Sequence, residues 1–207
     1  MAPSGFPLLA REGWLFLIIA GVAAVAGYTW IGTPGAFPGA GLAFLVLLKF
    51  RDPERSVPPA PLGVLSPVDG SVLAVEHEAA GCLDRPAVRI TLRVALLGAY
   101  SIRSPVEGKV LELPGNGNGG RGVWLQTDEK DDVVMVMRGP SIARPRARVR
   151  YGERLGQGQR CGYVRLARRV ELLVPEQSRI NVQVGQRVRA GITVCAEFIH
   201  DGVAGRV

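Results

Sequence analysis

Glu12 is followed by no Asp, Glu, Lys or Arg until Lys49, so residues 13 to 48, 36 in all, carry no formal charge. A block of that length and polarity must be buried, in a large core or in a bilayer. Within it, Trp14 to Ile31 (WLFLIIAGVAAVAGYTWI) is 18 apolar or small residues. As a helix rising ~1.5 Å per residue, that stretch covers about 27 Å, close to the hydrocarbon thickness of a membrane. Trp14, Tyr28 and Trp30 sit near its two ends, where interfacial aromatics gather. Thr33 to Gly39 (TPGAFPG) reads as a turn, and the apolar run from Ala40 to Phe50 is short for a full crossing. The expectation for residues 1–50 is therefore a membrane anchor of one or two apolar helices, as a hairpin or with a re-entrant second leg. A cleaved secretory signal would have a shorter apolar core and no second leg. Basic residues flank the block (Arg11; Lys49, Arg51, Arg55). By the positive-inside bias they place both ends, and the remainder of the chain, on the cytoplasmic side of the cell membrane.

The block also explains a mean hydropathy of +0.19 in a chain of net charge +7 and pI about 9.9. Intrinsic disorder is excluded, because its composition is poor in apolar residues. Three cysteines in 207 residues make no disulfide framework. In a reducing cytosol Cys82, Cys161 and Cys195 are most simply small core residues.

Residues 51–63, with PERSVPPAP at their centre, read as a Pro-rich linker or extended arm. From residue 64 to 207 the periodicity becomes two. Residues 71–75, 88–94, 123–126, 133–137 and 170–174 are short runs rich in β-branched side chains, bounded by turn formers. A mainly β domain is expected. It also contains a repeat. Ser66-Pro67-Val68-Asp69-Gly70-Ser71-Val72-Leu73 returns 38 residues later as Ser104-Pro105-Val106-Glu107-Gly108-Lys109-Val110-Leu111, and two glycine-punctuated segments, Tyr151 to Gly156 and Val184 to Gly191, follow. This pattern resembles a barrel-sandwich hybrid, the β fold of lipoyl and biotinyl carriers. A carrier needs a lysine at a hairpin tip, and none of Lys49, Lys109 and Lys130 reads as lying between two hydrophobic strands.

An ordered set of motifs resembles the short-form phosphatidylserine decarboxylases and their archaeal-type relatives. The motifs are Arg11-Glu12-Gly13-Trp14, Phe50-Arg51-Asp52-Pro53-Glu54-Arg55, Ser66 to Gly70, Arg103 to Gly108, Gly158 to Arg165, Arg169 to Pro175 and Val182 to Thr193. The resemblance covers nearly the whole chain. It implies phospholipid metabolism and a self-made cofactor. In the family a serine attacks the preceding carbonyl, the chain breaks, and the serine becomes an N-terminal pyruvoyl group. That group takes the substrate amine as a Schiff base and accepts electrons as CO₂ leaves. An aspartate and a histidine assist.

The family aspartate is kept as Asp69, whose simplest other role is to bond its own turn. The histidine position falls on Tyr100, and the Gly-Ser cleavage position on Ala167-Arg168. Arginine has no hydroxyl and cannot become a ketoacyl group. Gly70-Ser71 is the sole Gly-Ser pair in the sequence, and His77 and His200 lie away from the expected strand. The resemblance therefore implies a non-processing, catalytically silent homologue with no cofactor. The alternative is an active decarboxylase, turning phosphatidylserine into phosphatidylethanolamine and CO₂ by an atypical site. From Arg138 to Arg169 ten arginines meet one acid, Glu153. Arg144, Arg146, Arg148 and Arg150 share one face if extended. With Arg165 and Arg169 they form a candidate surface for anionic phospholipid headgroups. The expected partners are an anionic phospholipid membrane and, among proteins, a second copy of the chain or an active decarboxylase paralogue. Nucleic acid is not expected, since no aromatics interleave with the arginines.

Overall fold

The computed structural model describes residues 13–50, 55–78, 83–96, 98–112, 122–139, 146–147, 149–164 and 168–199. The chain divides into two compact units, one of Met1–Glu54 with Leu96–Tyr100 and one of Arg55–Ala95 with Ser101–Val207.

The first unit is a helical pair. Helix α1 (Gly13–Ile31) turns at Gly32, whose φ of 80° suits glycine, into α2 (Thr33–Lys49). Helix α1 is long and apolar enough to cross a bilayer, and α2 is shorter. Leu15, Ile18, Ile19, Val22 and Val25 are exposed on α1. Apolar side chains displayed in this way suit lipid rather than water. The pair is held by small residues. A Cβ on Gly27 would lie 2.0 Å from the Gly35 carbonyl oxygen, and one on Gly39 would lie 2.4 Å from the Ala24 nitrogen. Backbones that close pack well without a hydrophobic drive between the helices. The stretch Thr33–Gly39 is thus helical and not the expected turn. Pro34 falls at the helix start, where no amide hydrogen is needed, and the glycines are the contact surface. Phe50 stacks on Phe16 at 5.4 Å and meets Tyr100 at 4.6 Å with the rings tilted.

The second unit is built of fourteen described strands. They are β1 (Gly63–Leu65), β2 (Gly70–Glu78), β3 (Ala87–Val94), β4 (Ser101–Arg103), β5 (Gly108–Leu111), β6 (Gly122–Gln126), β7 (Asp132–Arg138), β8 (Arg146–Ala147), β9 (Arg154–Leu155), β10 (Arg160–Tyr163), β11 (Arg169–Pro175), β12 (Arg179–Ile180), β13 (Arg187–Val188) and β14 (Val194–Glu197). The five runs read from period-two patterning are β2, β3, β6, β7 and β11. An eight-stranded sheet runs β13-β2-β3-β11-β7-β6-β5-β9, flanked by β1-β14-β12 and β4-β10-β8. The sheets do not close into a barrel. The core gathers alternate residues such as Val72, Ile90, Leu92, Leu125, Met135, Val170 and Leu172.

The repeat in the sequence is a repeat in space. Strand β1 enters the Ser66–Gly70 turn and leaves as β2, and β4 enters the Ser104–Gly108 turn and leaves as β5. Each returning segment treats its own half alike: β13 pairs with β2 and β14 with β1, β9 pairs with β5 and β10 with β4. The glycine amides of Gly185 and Gly152 donate to Val72 and Val110 at 2.8 and 2.9 Å. Those of Gly191 and Gly158 donate to Ser66 and Ser104 at 2.8 and 2.9 Å. All four glycines have positive φ. The two turns then bond to each other, Leu65 N–H to Pro105 O at 2.8 Å and Arg103 N–H to Pro67 O at 2.9 Å. Ser66 and Ser104 hydroxyls donate to Val68 and Val106 carbonyls at 2.7 Å.

The proline-rich segment from Arg55 is packed against this unit, not free: Gln157 Nε2 donates to Ala60 O and Gly63 O at 2.8 and 2.6 Å. Lys130 lies at φ 70° in the Thr127–Asp131 turn joining β6 to β7. A lysine does therefore stand at a hairpin tip, contrary to expectation. It is set among Glu129, Asp131 and Asp132, whose charges hid the hairpin.

Two glycines separate backbone strain from steric fit. Gly185→Ala, at φ 87° with open space around the new methyl, should cost about 1 kcal/mol in urea unfolding. Gly70→Ala, whose Cβ would meet the Arg93 carbonyl oxygen at 1.8 Å, should cost about 3 kcal/mol or more. Equal losses would contradict the strand pairing described.

Candidate functional site

Asp69 is held by three hydrogen bonds in the β unit. Its Oδ1 accepts from Arg55 Nη1 at 2.6 Å and from the Ala190 amide at 2.8 Å, and its Oδ2 accepts from Arg55 Nη2 at 2.7 Å. Arg55 Nη1 also donates to Ala190 O at 2.9 Å. The two side chains are 11% and 15% exposed. A bidentate guanidinium–carboxylate pair with little water is directional and strong. It ties the segment after the helices, the first Ser-Pro turn and the β13–β14 connection into one knot. Asp69 is thus bonded across the fold rather than only to its own turn. Arg55 is the residue sequence reasoning missed, because it reads as one more flanking cation. Its place in the Phe50–Arg55 motif was the available signal.

A second arginine enters the same region. Arg103 ends β4 and is buried. Its Nη1 donates to Gly158 O at 3.1 Å. Its Cδ would lie 2.8 Å from a Cβ on Gly191, the neighbour of Ala190. Glycine at 191 therefore serves both the positive φ and the passage of this side chain.

The site candidates Asp69 and Arg168 flank the end of β3 on opposite sides, through their backbone carbonyls: Val94 N–H donates to Arg168 O at 3.0 Å on the β11 side, and Ala95 N–H to Asp69 O at 2.8 Å on the β2 side. The Arg168 amide donates to Arg138 O at 3.0 Å, and its side chain is exposed. Ala167 and Arg165 lie outside the described residues. Tyr100 is buried and belongs to the first unit, its ring tilted against Phe50. His77 is exposed on β2, and His200 lies outside the described residues.

The expected arginine face falls largely outside the described residues. Arg144 and Arg148 lie outside the described residues. Arg146 is in β8, in a three-stranded sheet with β10 and β4. Exposed Arg150 precedes a turn, where its amide donates to Glu153 Oε2 at 2.9 Å. Arg169 stands in the large sheet, opposite Arg93 and Arg138.

What chemistry these groups offer is limited. The Ser66 and Ser104 hydroxyls are buried and serve their turns. Burial pushes the Cys161 and Cys195 thiols up to about 12, so both stay protonated and unreactive near neutral pH. Cys82 lies outside the described residues. Among the described residues no cluster of His, Cys, Asp and Glu suits a metal.

Residues 117–196 match the family model described as phosphatidylserine decarboxylase. The chain is 36% identical to the phosphatidylserine decarboxylase proenzyme of Nitrosomonas eutropha, over 93% of this chain and 96% of that one. The enzymes of that name from Nitrosomonas europaea and Burkholderia cenocepacia are likewise 36% identical over 93% of this chain. A solved structure, the glucose permease IIA from Mycoplasma capricolum, aligns with TM-score 0.47 at 16% identity, over 65% of this chain and 94% of that one.

The Arg55–Asp69 pair should behave as one unit. Asp69→Ala and Arg55→Ala should each lower the unfolding free energy by about 2–4 kcal/mol, since either strands a charge that is mostly buried. The double variant should lose less than the sum, with a coupling of at least about 1.5 kcal/mol in a double-mutant cycle of urea unfolding. Additive losses would mean that the pair does not form.

Proposed function

The chain belongs to the phosphatidylserine decarboxylase family, and from that membership we propose that it is a membrane-bound member that neither cleaves itself nor decarboxylates. The observation that carries this reading is Arg168. It stands at the position that resembles the family's cleavage serine, across the end of β3 from the retained Asp69.

The residues at 167 and 168 do not fit a pyruvoyl group. That group is what remains of a serine once its Oγ has attacked the preceding carbonyl and left, and Arg168 carries no heteroatom on Cβ. Ser71 offers no substitute. It lies inside β2, paired with Arg93 and Arg187 in regular register, and a break there would part the helices from nearly all the strands. The tyrosine at position 100 removes a second assisting group. Asp69, held by Arg55 and Ala190, keeps a role that needs no chemistry: it fastens the fold.

On this reading the protein keeps the lipid-facing scaffold and not the reaction. It is held in the cell membrane by its apolar helices, with the β unit in the cytoplasm. Its partners are anionic phospholipid headgroups and, among proteins, a second copy of itself or an active decarboxylase. The excess of arginine over lysine supports the headgroup part, because the guanidinium fork matches phosphate.

The test is direct. Full-length protein with phosphatidylserine in mixed micelles should release no CO₂ above the protein-free rate, and a hydrazide probe for carbonyl groups should not label it. Turnover together with hydrazide labelling would sink the proposal.

A further inference from the structure

The strand register builds a feature that no single stretch of sequence displays. Arg187 of β13 lies opposite Ser71 of β2, Ser71 opposite Arg93 of β3, Arg93 opposite Arg169 of β11, and Arg169 opposite Arg138 of β7. Directly opposed residues project from the same face of a sheet. Their chain neighbours Val188, Val72, Leu92, Val170 and Met137 are buried in the core, so this row points away from it. Four exposed arginines therefore line five adjacent strands, over about 19 Å at the usual strand spacing.

Such a row works against folding, because like charges directly opposite repel. Compensation is confined to one end. Glu171, two residues along β11 on the same face, takes Arg138 at 2.5 Å and Arg89 at 3.7 Å. Among the described residues no ion pair holds Arg93, Arg169 or Arg187. Exposed Arg168 adds a further charge beside Arg169.

We propose that the ladder Arg187–Arg93–Arg169–Arg138 is a docking surface for an anionic phospholipid bilayer. It rests on the headgroup reading above but moves its centre from the Arg144–Arg150 stripe to the open face of the large sheet. The shape selects the occupant. A single phosphate needs donors that converge, whereas these arginines stand in a row across the strands, with Ser71 separating Arg187 from the rest. A line of cations on a sheet meets a plane of many phosphates. The β unit is joined through the chain to a helix long enough to cross a membrane, so such a plane is always at hand, and each arginine near it adds attraction.

The experiment uses the full chain in phosphatidylcholine nanodiscs, floated with liposomes of phosphatidylcholine alone or mixed with phosphatidylglycerol. The wild type should float with the anionic liposomes and not the neutral ones, and should release them at about 0.5 M salt. Arg93→Gln/Arg187→Gln should weaken that binding about 30-fold with an unchanged or higher thermal midpoint, as repulsion is relieved. The variant R144Q/R146Q/R148Q/R150Q should keep most of its binding. Loss in that variant with none in Arg93→Gln/Arg187→Gln would overturn the ladder and leave the headgroup reading standing on the other arginines. No preference of the wild type for anionic liposomes would overturn both. A single-stranded RNA that binds through the ladder more tightly than the liposomes do would replace lipid as the occupant.

Discussion

The β unit depends on two turns that bond to each other. Leu65 donates to Pro105 and Arg103 to Pro67, so each Ser-Pro-Val-acid-Gly turn supplies what the other lacks. Neither half can complete its backbone hydrogen bonds alone, and an unsatisfied buried amide or carbonyl costs about as much as a lost bond. The glycines at 152, 158, 185 and 191 let the returning segments reach back to the same turns, since each holds a positive φ that other residues resist. The strand order of the large sheet, with β13-β2 at one edge and β5-β9 at the other, follows from this closure.

Where the two halves differ, the distinctive chemistry collects. Glu107 of the second turn is 60% exposed and meets Arg154 at the surface. Asp69, its counterpart, is mostly buried and doubly bonded to Arg55. Of the two turns, the first therefore holds its carboxylate in the drier setting, and Arg168 lies across the end of β3 from it.

Much of this was legible in the sequence. The five longest strands announced themselves through β-branched alternation, and α1 through its uncharged length. The repeat was visible because glycine and proline positions are fixed by φ. Three things were hidden. Thr33–Gly39 looks like a turn, but Gly35 and Gly39 are where two helix backbones touch and Pro34 needs no partner at a helix start. Strands of two to four residues, such as β9, β12 and β13, are too short to show a period. The arginine ladder draws one residue from each of four strands, 93, 138, 169 and 187, so only the register unites them. The stripe at 144–150 drew attention because it was local in sequence.

A decarboxylase-family scaffold that persists without self-cleavage is tested most directly by the intact mass of the full-length protein, purified from membranes and run under denaturing conditions. One species near the mass of the whole 22.1 kDa chain is expected. Two fragments meeting at residues 167 and 168, or at 70 and 71, with a ketoacyl N-terminus on the second, would contradict it.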